Sequence, residues 1–125
     1  MTEIFAIILQ SIVALGLLNV WLLRFNQKTG YRGGNASSMK EEFATYGLPP
    51  CALYVVGGLK ILNALALIAG IWLTELVFPA AGIIAILMLG ALAMHLKVQD
   101  PAKKFLPAAS VLLLTVGIIL LRLFA

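Results

Sequence analysis

Two side chains of this 125-residue sequence stand where charge is costly and could do chemistry, Lys60 and His95. Lys60 falls near the middle of an apolar run from Cys51 to Leu73, with Asn63 one turn further on. Such a run crosses a bilayer, since roughly 20 apolar residues span about 30 Å of hydrocarbon. At about 1.5 Å per residue, Lys60 lies on the order of 15 Å inside the Pro49–Pro50 entrance. A charge at that depth is expensive and usually faces a bundle interior. Every acid in the chain (Glu3, Glu41, Glu42, Glu75 and Asp100) falls near an expected membrane face. The ammonium must then be met by backbone carbonyls, Asn63, water or a ligand, or give up its proton. The plainer alternative is a lysine snorkelling toward one face, with Gly57 leaving room for the bend. His95 could relay protons or donate to a quinone carbonyl; its plainer alternative is a cap on the last helical carbonyls. Helix rise separates the two residues by about 10 Å in depth, so a head group or water chain, not a direct bond, is expected between them.

Cys51 is the only cysteine, which excludes an internal disulfide and a C-x-x-C redox pair. One cysteine and one histidine also argue against a metal site. No residue is assigned a catalytic role.

The elements that must position these residues are helices in lipid. Sixty-two per cent of the residues are hydrophobic and the mean hydropathy is +1.07, far outside the range of water-soluble domains. Four apolar runs, Ile4–Leu23, Cys51–Leu73, Leu76–Leu96 and Phe105–Phe124, predict one all-α domain over residues 1–125. The expected architecture is a four-transmembrane-helix bundle. The first run begins at Glu3 and ends Asn19-Val-Trp-Leu-Leu-Arg24, which reads as a retained span with Trp21 near an interface and not as a signal peptide. Its Gln10, Ser11 and Asn19 suit hydrogen bonds to other helices. In the second run Gly57, Lys60, Asn63 and Ala64 share one face, and in the third Ala81, Ala85, Met88 and His95 form a stripe. The short turn at Thr74-Glu75 makes these two helices antiparallel neighbours. Pro107 sits in the first turns of the fourth run, where a missing N–H does little harm.

The long loop 24–50 holds a short interfacial helix, Met39–Tyr46, between the first and second spans. Ser38 and Glu41 form its capping box, Met39, Phe43 and Tyr46 line one side, and Gly47 supplies a left-handed cap. The helix is expected on the bilayer surface or over the bundle mouth.

Charge is distributed by side. Arg24, Lys28, Arg32 and Lys40 lie in loop 24–50 and Lys97, Lys103 and Lys104 in loop 97–104, against Arg122 alone at the other side. Positive residues collect on the cytoplasmic side of a cell membrane, so both loops are expected there and both termini outside. The Asn35-Ala-Ser37 triplet then faces the cytoplasm and is no glycosylation site. The net charge of +4 is spread beside the spans without a dense patch, which argues against nucleic acid as a partner.

Several segments together carry a family resemblance. Phe43-x-x-Tyr-Gly-Leu-Pro49, Val56-Gly-Gly-Leu-Lys60, Ala69-Gly-Ile-Trp72, Met88-Leu-Gly-Ala-Leu-Ala-Met-His95-Leu-Lys-Val-Gln-Asp-Pro101 and Leu106-Pro107 resemble the DoxX-like family of small four-helix membrane proteins. The resemblance covers nearly all the chain beyond the first span. Many members have glutamate where this chain has Lys60; a DoxX-like subgroup is similar in having lysine and the later histidine. The name-giving proteins are subunits of quinone-linked oxidoreductases, and other relatives associate with redox or receptor-assembly machinery. The resemblance implies an accessory or quinone-interacting component of a membrane redox complex, with Lys60, Asn63 and His95 lining a head-group pocket for a non-covalently bound quinone. Its partners would be the bilayer and other membrane subunits, or a second copy of itself. The alternative is a non-enzymatic assembly factor in which Lys60 contacts another membrane chain. A small multidrug transporter needs a carboxylate in its first span, and Ile4–Leu23 has none. With no recognisable flavin or haem site, a partnered role is favoured over a stand-alone enzyme.

Overall fold

The computed structural model describes residues 2–26 and 30–124; Lys28 lies outside the described residues. The apolar runs are helical because a backbone in hydrocarbon must bond to itself. Helix α1 (Thr2–Leu18) continues into a π-helical turn, Asn19–Leu23, closed by the Arg24 N–H on the Asn19 carbonyl at 3.0 Å. Helix α2 (Met39–Thr45) follows, then α3 (Pro50–Ala69) with proline in its first turn. A 3₁₀ turn, Thr74–Leu76, leads into α4 (Val77–Lys97), and another, Ala102–Phe105, into α5 (Leu106–Leu123). The expected four spans and the short helix are all present, and no strand occurs among the described residues. Helix α3 stops at Ala69, short of the expected Leu73, where Gly70 caps it and the chain turns toward α4.

Each long helix touches two others: α1 lies against α3 and α5, and α4 against the same two. Val13, Leu17, Leu67, Ile84 and Ile118 are fully or nearly fully buried where they meet. The outward faces are as apolar as the core. Leu15, Leu62, Ile86 and Leu113, one from each span, are 62%, 63%, 69% and 72% exposed. Such faces are stable only against lipid, and the four helices are each long and apolar enough to cross a membrane.

The ends of the bundle differ. At the terminal end, Gln10 Nε2 donates to the Leu67 carbonyl at 2.9 Å, and Arg122 Nε and Nη2 donate to Gln10 Oε1 at 3.0 and 2.8 Å. Gln10 thus makes the interhelical bonds expected of it, whereas Ser11 donates to Ile7 of its own helix at 2.9 Å. At the loop end, α2 packs on α3 and covers the mouth. The Ser38 hydroxyl accepts the Glu41 N–H at 3.2 Å, and Glu41 Oε2 reaches back to the Ser37 N–H at 3.2 Å, one residue before the expected cap. Met39, Phe43 and Tyr46 are buried as their spacing predicts, and Gly47 takes the left-handed φ of 77° that ends the helix.

Candidate functional site at the loop end

Leu53, Gly57, Lys60, Asn63, Ala64 and Leu67 form the buried face of α3, as the three- and four-residue spacing requires. Lys60 therefore points inward, with its Nζ 5.2 Å from the centroid of the Trp21 ring. That ring, near the end of the first span, is buried against the other helices. The π turn inserts an extra residue per turn and rotates the side chains that follow, which brings Trp21 onto α3. It packs over Gly57, where a Cβ would stand 2.6 Å from Cζ3. The space left by Gly57 thus receives the indole, not the lysine stem. A cation over an indole face is favourable, more so out of water, but supplies no hydrogen bond. Lys60 Nζ meets no hydrogen-bond acceptor among the described residues. It is also not sealed, because no fully buried side-chain nitrogen or oxygen there lacks a partner. Asn63 spends its Nδ2 on the Leu59 carbonyl, 2.7 Å away in the same helix.

Glu42 turns inward from α2 and is buried, close enough to act electrostatically on Lys60. Its Oε2 pairs with Arg32 Nη1 at 3.0 Å, and its Oε1 accepts the Tyr46 hydroxyl at 2.7 Å and the Gly33 N–H at 3.0 Å. Arg32, itself buried, also donates to the carbonyls of Arg24 and Phe25. A buried carboxylate survives because both of its oxygens are hydrogen-bonded and a cation is adjacent. Burial pushes the Tyr46 phenol well above its ordinary pKa, and the charge of Glu42 and its hydrogen bond push the same way. Tyr46 is therefore a protonated donor at every physiological pH.

His95 forms the second half of the site. Its Nδ1 lies 2.7 Å from Asp100 Oδ2, so the ring pairs with a carboxylate and does not cap the helix. Helix α4 ends at Lys97, and Gln99 at φ 56° folds the chain back beneath His95. Asp100 Oδ1 accepts the Gly34 N–H at 2.9 Å and lies 3.8 Å from Lys104 Nζ, which donates to the Gly34 carbonyl. Lys97 Nζ donates to the Tyr46 carbonyl at 2.8 Å. Burial alone would raise the Asp100 pKa, but the bonds from His95 and Gly34 and the charges of His95 and Lys104 together hold it below the usual carboxylate value. His95 packs between Tyr46 and Phe105, with ring centroids at 5.9 and 5.4 Å.

Lys60 and Asn63 share one wall, while His95 stands in the knot at the mouth. Between Lys60 and His95 the ring contacts run from Trp21 to Phe43, Phe43 to Tyr46 and Tyr46 to His95. Sequence reasoning missed Trp21, Arg32, Glu42, Tyr46 and Asp100 as members of the site. One local signal existed for Asp100, an acid five residues after a histidine at a helix end that Pro101 closes. For Arg32 and Glu42 no local spacing pointed to the pair.

A model of the DoxX-like family matches residues 8–118. No curated protein and no solved structure matches the chain.

Proposed function

The chain belongs to the DoxX-like family, and from that premise we propose that it is an accessory, quinone-interacting component of a membrane redox complex. The observation that carries this reading is the Lys60 ammonium, held at the Trp21 face with no hydrogen-bond acceptor among the described residues. A quinone head group is uncharged, flat and edged with carbonyl oxygens, which suits an apolar wall with one strong donor. Lys60 is the head-group donor, Asn63 the second polar residue of that wall, and His95 the proton-handling group at the mouth. Asp100 engages His95 at Nδ1, so Nε2 is the edge left for a ligand: a donor when the ring is charged, an acceptor in the tautomer that donates from Nδ1. These residues bind and orient; the electrons come from partner subunits. The loop end is cytoplasmic, following the excess of basic residues there over Arg122 alone.

The test is Lys60→Met, read by thermal stability in detergent, by binding of a quinone analogue and by co-purification of partners from native membrane. Methionine keeps a long apolar stem and removes a desolvation cost, so the fold is retained. Analogue binding is expected to weaken by about 1.5–3 kcal/mol, the contribution of a hydrogen bond to a charged group. Unchanged binding overturns the reading. Loss of a membrane partner with unchanged analogue binding would identify an assembly factor instead.

A further inference from the structure

The terminal end of the bundle carries a second polar arrangement that the loop-end site does not use. A cavity of about 320 Å³ opens there, lined by Thr74 and Glu75 of the connector, Phe78 of α4 and Arg122 of α5. Arg122 is fixed from behind. Its Nε and Nη2 are both spent on Gln10 Oε1, and Gln10 is wholly buried with its own amide nitrogen on the Leu67 carbonyl. That anchorage leaves Nη1 of the guanidinium free of protein partners among the described residues. Glu75, exposed and lining the same cavity, makes no ion pair within 4.0 Å among the described residues, with Arg122 or any other cation. Two opposite charges therefore line one cavity without neutralising each other.

That separation selects the ligand. A lone anion would be drawn to Arg122 and repelled by Glu75, and a lone cation the reverse. A group with an anionic and a cationic end satisfies both. The cavity lies where spans end; Trp72 and Phe124, each two residues in sequence from a lining residue, are highly exposed, and Phe78 of the lining is itself 43% exposed. Aromatic side chains at span ends lie at the depth of lipid head groups. We propose that this cavity seats the zwitterionic head group of an amine-bearing phospholipid, with its phosphate on Arg122, its ammonium on Glu75 and an acyl chain along Phe78. A primary ammonium brings three N–H donors for the carboxylate, which a trimethylated head group lacks.

Native mass spectrometry of the full chain, supplied separately with phosphatidylethanolamine, phosphatidylcholine and phosphatidylglycerol, tests this. The wild type should retain phosphatidylethanolamine roughly five- to tenfold more than either other lipid, the scale of one ordinary net hydrogen bond at an exposed position. Glu75→Gln, at an exposed position that leaves the core untouched, should lower that retention to the phosphatidylcholine level and raise retention of phosphatidylglycerol. Arg122→Gln should reduce retention of all three. Equal retention of the three lipids by the wild type overturns the proposal, as does an unchanged preference in Glu75→Gln. Capture of water-soluble O-phosphoethanolamine as strong as that of the lipid would overturn the assignment to a membrane ligand.

Discussion

The indole of Trp21 occupies the space over Gly57, so closely that a Cβ there would stand 2.6 Å from Cζ3. This contact joins the π turn of the first span to the face of α3 that carries Lys60. Gly57→Ala should therefore displace the ring from beneath the ammonium, at about 1–3 kcal/mol for overpacking a filled site. Thermal unfolding in detergent and tryptophan fluorescence check it. An unchanged midpoint and an unshifted emission spectrum would show that the ring does not rest there.

Arg32 and Glu42, 3.0 Å apart and both buried, should be far costlier to break singly than together. Arg32→Leu leaves a carboxylate in a closed environment and is expected to cost about 3–5 kcal/mol. Adding Glu42→Leu should recover part of that loss, because it removes the stranded charge. Unfolding of both singles and the double variant measures the coupling, and purely additive effects would contradict it.

The Asp100 carboxyl titrates below its ordinary value of 3.8 in the folded protein. A depressed folded pKa means that its contribution to stability is complete above the unfolded value and is lost as pH falls through the folded one. Wild-type stability should drop on acidification from about pH 5 toward pH 2, and Asp100→Asn should flatten that part of the profile. Thermal midpoints across this range decide the matter, and parallel profiles would exclude Asp100 as the titrating group.

The proposed topology predicts opposite labelling of the two ends. In a Cys51→Ala background, Lys40→Cys should react with an impermeant thiol reagent from the cytoplasmic side and Thr2→Cys from the other. Lys40 is chosen because it is exposed on α2 and takes no part in the loop-end network. The reverse pattern would place the basic loops outside the cell membrane.

Composition and periodicity determined much of this protein unaided. A chain this apolar has one solvent in which to fold, and four runs of spanning length follow from that. The face shared by Gly57, Lys60, Asn63 and Ala64, the Ser38–Glu41 cap and the buried side of α2 are local, so spacings of three and four residues reveal them. Packing alone decided what those residues meet. Gln10 and Arg122 are 112 positions apart, Gly34 and Asp100 66, and Tyr46 and Lys97 51, and no local rule relates such pairs. Taken singly, Glu42 reads as a surface acid, since an unpaired carboxylate is too costly to bury. The folded loop offsets that cost by bringing Arg32, Tyr46 and Gly33 around it. Likewise, only packing sets the ring of Trp21 beside Lys60 and over Gly57, 36 positions away in sequence.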